Sequence, residues 1–169
     1  AERDPALARD RNCKQTDVYV LRRWAVRHAR LLESLYGVLD RALDALRPLA
    51  RLIGYSRLEG PVAAIERATK GALFDCRMCG ACALSFTGMA CPMNCPKSLR
   101  NGPCGGVRSD GGCEVEPAMP CVWIEAHKGA ARMRAGALPT EPNPPLEHQY
   151  QGRSSWLRVL RQEPWPASL

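Results

Sequence analysis

Between Cys76 and Cys121 the chain reads CRMCGACALSFTGMACPMNCPKSLRNGPCGGVRSDGGCEVEPAMPC. Eight of the nine cysteines of the 169-residue chain lie in this segment, and only Cys13 lies outside it. Glycine and proline make up much of the remainder, and the apolar residues follow neither a helical nor a strand period. A segment of this composition cannot bury a core of its own. We therefore expect its order to come from bonds to a bound metal group.

The reduced state of these cysteines is favoured over disulfide bonds. The chain opens with the charged stretch AERDPALARDRN, in which no signal peptide is visible, and the cysteine count is odd. Disulfides require an oxidising compartment. No apolar run reaches the ~20 residues that span a bilayer. The sequence thus predicts a cytoplasmic protein with no membrane contact, in which Cys13 is an ordinary thiol.

The spacing of the cysteines is typical of iron–sulfur proteins. Cys76, Cys79 and Cys82 form a CxxCxxC triplet, by which bacterial ferredoxins hold three irons of a [4Fe–4S] cube. Proline follows Cys91 and Cys95, as it follows the remote fourth ligand of ferredoxins. Eight cysteines are the ligand count of two [4Fe–4S] clusters. The predicted cluster and metal ligands are Cys76, Cys79, Cys82, Cys91, Cys95, Cys104, Cys113 and Cys121.

Two questions about this metal site stay open at the level of sequence. The spacing does not show which of the other five cysteines completes the triplet. Two tetrahedral zinc sites would use the same eight thiolates and would only support the fold. Zinc sites usually show paired CxxC knuckles, whereas this chain has one triplet and no second CxxC. We therefore prefer two iron–sulfur clusters, with a mixed or single-cluster site and zinc as the alternatives.

The flanking segments predict a mainly α fold with a flexible N-terminus over 1–16. From Asp17 apolar residues recur at steps of three and four, which predicts an amphipathic helix with one buried stripe. Pro48 is expected to kink or split this helix and Gly54 to cap it, after which Gly60-Pro61 opens a second helix. Residues 17–74 are thus a predicted helical hairpin. The residues predicted to be buried are Leu21, Trp24, Leu31, Leu35, Leu39, Ala42, Leu46, Leu49 and Ile53 in the first helix and Val62, Ile65, Ala68 and Ala72 in the second.

The rest of the chain divides into two further segments. Residues 75–136 are predicted to be an irregular cluster-binding domain with ferredoxin-like loops, which closes with a helix ended by Gly136. Residues 137–169 are rich in proline and are predicted to be an extended docking tail. Trp156 and Trp165 in this tail either anchor into a partner or fold back onto the chain.

The chain has a formal net charge of +7, and two groups of basic residues stand out. Arg22, Arg23, Arg27, His28 and Arg30 form a basic cluster on the first helix, and three of these arginines share one face. An acidic partner, nucleic acid or a polyglutamylated folate could bind there, and a solvated helix face is the plain alternative. Nucleic acid is disfavoured because neither aromatic stacking residues nor an RNP-like motif accompanies the arginines.

The second concentration of charge lies among the cysteines themselves. Each cube with its four thiolates carries about −2, so part of the basic excess would balance two clusters. Lys97, Arg100 and Arg108 are the predicted balancing cations. The sequence contains no Ser/His/Asp set, paired-carboxylate site or HExxH motif, and we predict no catalytic residues.

The cysteine segment resembles a known family. The runs CRMCGACALSFTGMACP, CPKSLRNGPCGG and GGCEVEPAMPCVW, and GRSSWL in the tail, are similar to the C-terminal domain family of methylenetetrahydrofolate reductases. That family includes the cysteine-rich small subunit of the acetogen-type enzyme. The resemblance covers residues 74–160 and does not extend to the helical region 17–70.

This resemblance implies a metal-bearing subunit of an oxidoreductase complex in one-carbon metabolism. The flavin and folate sites would lie on a TIM-barrel partner, the methylenetetrahydrofolate reductase catalytic subunit, and a further electron-donor protein could join them. Both zinc and iron–sulfur clusters fit such subunits. The chain would then transfer electrons to or from the flavin. Otherwise it would be a structural or assembly module of the reductase, or, as the least favoured reading, a zinc-stabilised nucleic-acid-binding module.

Overall fold

The computed structural model describes residues 19–138, 142–143 and 145–162, and these residues are mainly helical. Helix α1 occupies residues 19–27 of the described part. The later helices are α2 (Ala29–Ile53), α3 (Tyr55–Phe74), α4 (Val122–Ala130) and α5 (Ser155–Arg161), with 3-10 turns at Pro92–Asn94 and His148–Tyr150. Within the described ranges, β pairing is limited to two isolated bridges, Val107–Cys113 and Gly112–Pro120. The predicted mainly α fold is therefore confirmed.

Three expectations fall outside the part of the chain that the structure describes. They concern the flexible segment 1–16, the thiol Cys13 and the tail residue Trp165. In the described helices, no segment is both long and apolar enough to cross a membrane.

Helices α2 and α3 form the hairpin that the sequence predicts. Gly54 joins them at a φ of +94°, which glycine adopts readily, and its N–H donates to the Ala50 carbonyl at 3.1 Å. The second helix starts at Tyr55 and not at Gly60-Pro61, and α2 runs through Pro48 to Ile53, so the predicted boundary and split are wrong. Each proline removes only one backbone donor, and packing of the hairpin outweighs that loss.

The buried side of α2 differs from the predicted stripe. Leu31, Leu35, Leu46 and Leu49 are 50–54 % exposed. Leu21, Trp24, Ala42 and Ile53 are also exposed, and Leu39 is half-buried. The buried residues are instead Ala29, Leu32 and Ala50. The apolar residues of α2 cover one broad arc, and the buried residues lie along one edge of it, so periodicity alone could not identify the inner face.

Helix α3 also buries a face that the sequence did not predict. Its buried residues are Glu66, Lys70 and Phe74. The predicted residues Ile65, Ala68 and Ala72 are exposed and Val62 is half-buried. Two charged side chains occupy the inner face because they pair with each other and with α5, and a hydrophobicity pattern does not detect such a pair.

Three hydrophobic clusters connect the helices to the cysteine segment. Ala29 and Leu32 of α2 meet Phe74, Leu84 and Met89 beside Cys82 and Cys91. A second cluster joins α1 and α4 beside Cys95, Cys113 and Cys121 through Val26, Val122 and Trp123. In a third cluster, Leu157 and Leu160 of α5 pack on Ala50. The cysteine loops therefore lie between packed helices.

Candidate metal centre

The structure gathers the eight cysteines into two groups of four. The first group lines one cavity and comprises Cys76, Cys79, Cys82 and Cys91. The second group lines another cavity and comprises Cys95, Cys104, Cys113 and Cys121. All eight are free thiols. Cys91 thus joins the CxxCxxC triplet, a choice that the spacing had left open.

Left-handed backbone turns shape the loop of the first group. Asp75 ends α3 at a φ of +51°, and Gly80 follows at +72°. The side chain of Asn94 donates from Nδ2 to the Phe74 carbonyl at 2.8 Å, which ties the turn after Cys91 to the end of α3. The Met78 N–H lies 3.4 Å from the Cys76 sulfur and donates to it. The loop therefore wraps around its sulfur atoms and presents backbone donors to them.

Burial controls the acidity of these thiols. It raises the pKa of Cys91 to about 12, opposed by the Met93 N–H and reinforced by the neighbouring thiols of Cys76, Cys82 and Cys79. Burial also raises the pKa of Cys76. The four thiols line one cavity between packed elements. Four thiolates could gather there only with a compensating cation, which is the electrostatic requirement of a metal site.

Lys70 places one positive charge against the first group. Its side chain is 2 % exposed, and its Nζ lies 3.5 Å from the sulfur of Cys82. Burial alone would lower the pKa of Lys70, but the charges of Cys82 and Glu66 raise it overall. Lys70 therefore stays protonated in a buried position. Sequence analysis missed this residue.

The tail supplies the partners that hold Lys70 and Glu66 in place. Lys70 Nζ donates to Glu66 Oε1 at 2.7 Å and to Ser155 Oγ at 2.8 Å. Ser154 Oγ donates to Glu66 Oε2 at 2.6 Å, and the Ser155 hydroxyl donates to Oε1. Burial would raise the pKa of Glu66, but Lys70 and the serine hydrogen bonds lower it overall. The GRSSWL motif thus has a local role, and the Glu66–Lys70 spacing of four residues was the signal for it.

Trp156 belongs to the same contact. Lys70 Nζ lies 5.1 Å from the centre of its ring. Of the two alternatives for Trp156, the structure shows the one in which it folds back onto the chain. Part of the tail predicted to be extended is helical, because Ser154 caps α5 by accepting the Leu157 N–H at 3.2 Å.

Residues 150–158, which we call the strap, cross the first group. The Gly152 N–H donates to the Met78 carbonyl at 2.7 Å, and Arg158 Nη1 donates to the Gly80 carbonyl at 3.5 Å. A Cβ added at Gly80 would lie 2.4 Å from the Tyr150 carbonyl oxygen. Only glycine therefore allows the strap to approach this closely.

The second group is more open. Cys104 is exposed, and its sulfur accepts the Gly106 N–H at 3.4 Å. That bond and the charge of Lys97 lower the pKa of Cys104. Trp123 lines the cavity, and its Nε1 donates to the Leu99 carbonyl at 3.2 Å. The thiolate is thus favoured at the exposed end of this group.

The three predicted balancing cations lie in different places. Lys97 lines the second cavity, and Arg100 lines the first. Arg108 instead pairs with Asp110 at 3.3 Å.

Both cysteine cavities are small, about 20 Å³ each. In the described part of the chain, no three or more His, Cys, Asp or Glu side chains are arranged as a metal-ion site. The two groups thus line cavities and do not form closed coordination shells. Their donor set is nonetheless purely thiol, which suits zinc and iron–sulfur clusters and not magnesium or calcium.

Comparison with known proteins identifies the family of the chain. The family model described as methylene-tetrahydrofolate reductase C terminal matches residues 55–149. The matched region contains α3 and all eight cysteines, so it takes in part of the helical region that the sequence resemblance had left out. Neither the curated proteins nor the solved structures compared with the chain gave a match. The chain therefore belongs to the methylene-tetrahydrofolate reductase C-terminal family.

Proposed function

We propose that the chain is the iron–sulfur subunit of a methylenetetrahydrofolate reductase-type complex. It would carry electrons to or from a flavin-containing TIM-barrel partner that binds the folate. Membership of the family supports association with such a reductase. The iron–sulfur assignment is carried by the first group of four, which contains the whole CxxCxxC triplet by which ferredoxins hold three irons of a [4Fe–4S] cube, together with a fourth thiol.

Each group would hold one cluster, and such clusters supply one-electron transfer when bound. Around the first group, Lys70 provides a fixed positive charge, and the Met78 N–H donates to sulfur. Both interactions favour thiolate over thiol and raise a reduction potential. The strap covers this group, whereas Cys104 leaves the second group open to solvent. We therefore propose that the second group faces the protein with which electrons are exchanged.

Structural zinc is the second candidate, and one observation favours it. A volume of about 20 Å³ per cavity is closer to the size of a single ion than to that of a cube of iron and sulfide. Two zinc ions, each bound by four thiolates, would then support the fold of an assembly module of the same reductase. No electron transfer would occur through this chain in that case.

Metal analysis separates the two candidates. The chain is purified without oxygen, and iron, zinc and sulfide are measured per chain, with a visible spectrum before and after dithionite. We expect about eight iron and eight sulfide, with colour that bleaches on reduction. About two zinc and no colour would overturn the electron-transfer proposal. The matched control is Cys13→Ser, which removes the ninth cysteine and should leave the metal content unchanged.

The partner requires its own experiment. The tagged full chain is recovered from its source cells, and the complex is tested for flavin by its absorbance after denaturation. We expect a flavoprotein in stoichiometric amount. A chain that carries its full metal content but no flavoprotein under conditions that preserve other complexes would contradict this part of the proposal.

A further inference from the structure

A third cavity lies apart from both cysteine groups, between α1 and α4. Its volume is about 500 Å³, which falls in the range of small-molecule sites. Four basic side chains line it: Arg23 and Arg27 from α1, and Lys128 and Arg132 from α4 and the turn after it. The loop over 110–120 forms the remaining wall. We call this cavity the basic cleft.

The acidic residues of the basic cleft already have partners. Glu125 accepts from Lys128 Nζ at 2.8 Å. Asp110 pairs with Arg108 at 3.3 Å and accepts the Gly112 N–H at 2.8 Å. Each carboxylate thus already has a positively charged partner, and among the described residues neither forms an ion pair with an arginine of the opposite wall.

Among the described residues, no carboxylate compensates the charge of the arginines on that wall. Arg23 and Arg27 have no hydrogen-bond or ion-pair partner among the described residues. They stand four residues apart on one helix face, about 5–6 Å between Cβ atoms. Across the cleft, Arg132 donates from Nη1 to the Lys128 carbonyl at 2.7 Å, which leaves its other donors free for a ligand. A solvated helix face would carry such arginines on a convex surface, whereas these point into a cavity.

We propose that the basic cleft binds a small molecule with at least two anionic groups, phosphate or carboxylate. Guanidinium groups recognise both through paired N–H donors. Two arginines on one wall and Arg132 on the other offer separate positions for two anionic groups. The proposal does not depend on which metal the cysteines bind.

The bound anion would lie close to the second cysteine group. Met119 lines both the basic cleft and the second cavity. The Cys113 N–H donates to the Met119 carbonyl at 2.9 Å, and the Cys121 N–H donates to the Gly111 carbonyl at 2.9 Å. One wall of the cleft is thus built on the backbone that positions two of the four cysteines.

Calorimetric titration of the full, metal-loaded chain tests the proposal. The probes are pyrophosphate, citrate and inorganic phosphate at one ionic strength. We expect pyrophosphate or citrate to bind at least about tenfold more tightly than phosphate. The double variant Arg23→Gln/Arg27→Gln should weaken that binding at least about tenfold. The control, Arg41→Gln/Arg57→Gln, removes the same charge at exposed positions that do not line the cleft and should change it less than about twofold.

The outcomes separate the possible ligands. Preference for pyrophosphate supports a phosphate-bearing ligand, and preference for citrate supports a polycarboxylate. The variant Lys128→Gln/Arg132→Gln tests the opposite wall and should reproduce the loss, with helix content and metal content unchanged in each variant. Absence of binding of both multivalent probes at millimolar concentration would overturn the proposal, and so would an equal loss in the control.

Discussion

Lys70 carries its positive charge in a buried position beside the Cys82 thiol, and burying a charge costs free energy. It is tolerated because Glu66 lies 2.7 Å away and the Ser155 hydroxyl completes its hydrogen bonds. Such a pair adds little net stability, but removing one member is strongly destabilising because the other charge is left buried and unpaired. The pair therefore fixes the relation of α3, α5 and the first cysteine group more strictly than an apolar contact would.

Replacing Lys70 by methionine should destabilise the chain strongly. Lys70→Met leaves the Glu66 carboxylate buried and unpaired, and we expect the free energy of unfolding to fall by about 3–5 kcal/mol. Urea denaturation followed by circular dichroism measures this. Arg67→Met, on the exposed side of the same helix, is the control and should change the value by less than about 0.5 kcal/mol. A similar decrease in the free energy of unfolding in both variants would contradict the burial of the Lys70 charge.

Replacing glycine by alanine should disturb the structure at Gly80 and stabilise it at Gly71. In Gly80→Ala the new Cβ would meet Tyr150 of the strap at 2.4 Å, in a left-handed conformation that alanine disfavours. We expect the strap to be displaced and the Gly152 N–H, which donates to the Met78 carbonyl, to lose its protection from hydrogen exchange. Gly71→Ala lies in α3 with open space around it and should raise the free energy of unfolding by about 0.5–1 kcal/mol. A strap that keeps its protection in Gly80→Ala would refute the close contact.

At the scale of elements, the buried side of α2 should contribute more to the stability of the fold than its exposed apolar side. Leu32 is 5 % exposed and packs among Ala29, Phe74 and Leu84, whereas Leu35 is 54 % exposed. Leu32→Ala should therefore cost about 2–5 kcal/mol in the free energy of unfolding. Leu35→Ala is the matched control and should cost less than about 1 kcal/mol. If the larger loss occurred in Leu35→Ala, the stripe predicted from sequence would be the buried one after all.

The hairpin was predictable from sequence, but its inner face was not. Steps of three and four and the Gly54 cap sufficed for the helices. The face was ambiguous because the apolar arc of α2 is wider than its buried part and because α3 buries charge. The division of the cysteines into two groups could not be predicted either. The spacing after Cys82 does not indicate which cysteine joins the triplet. That choice depends on how Phe74, Asn94 and the strap arrange the loops in space.

At the scale of the whole molecule, the two cysteine groups are separate units. They line different cavities and pack on different hydrophobic clusters. Cys91→Ser should therefore remove about half of the bound metal and leave the second group loaded, and Cys121→Ser should do the reverse. Metal content per chain and the visible spectrum of each variant check this. Complete loss of metal in both variants would show that the groups load as one unit.

Because the strap lies late in the sequence, the first cysteine group is synthesised before the segment that covers it. Arg158 follows Gly80 by 78 residues, and at about 5–20 residues per second a ribosome needs several seconds to add that length. The first cysteine group is therefore complete before its cover exists, whereas a finished chain must open the strap to admit metal. We expect chemical reconstitution of the folded, metal-free chain to fill the second group faster than the first. Maturation of the first group would then be a task best carried out on the growing chain.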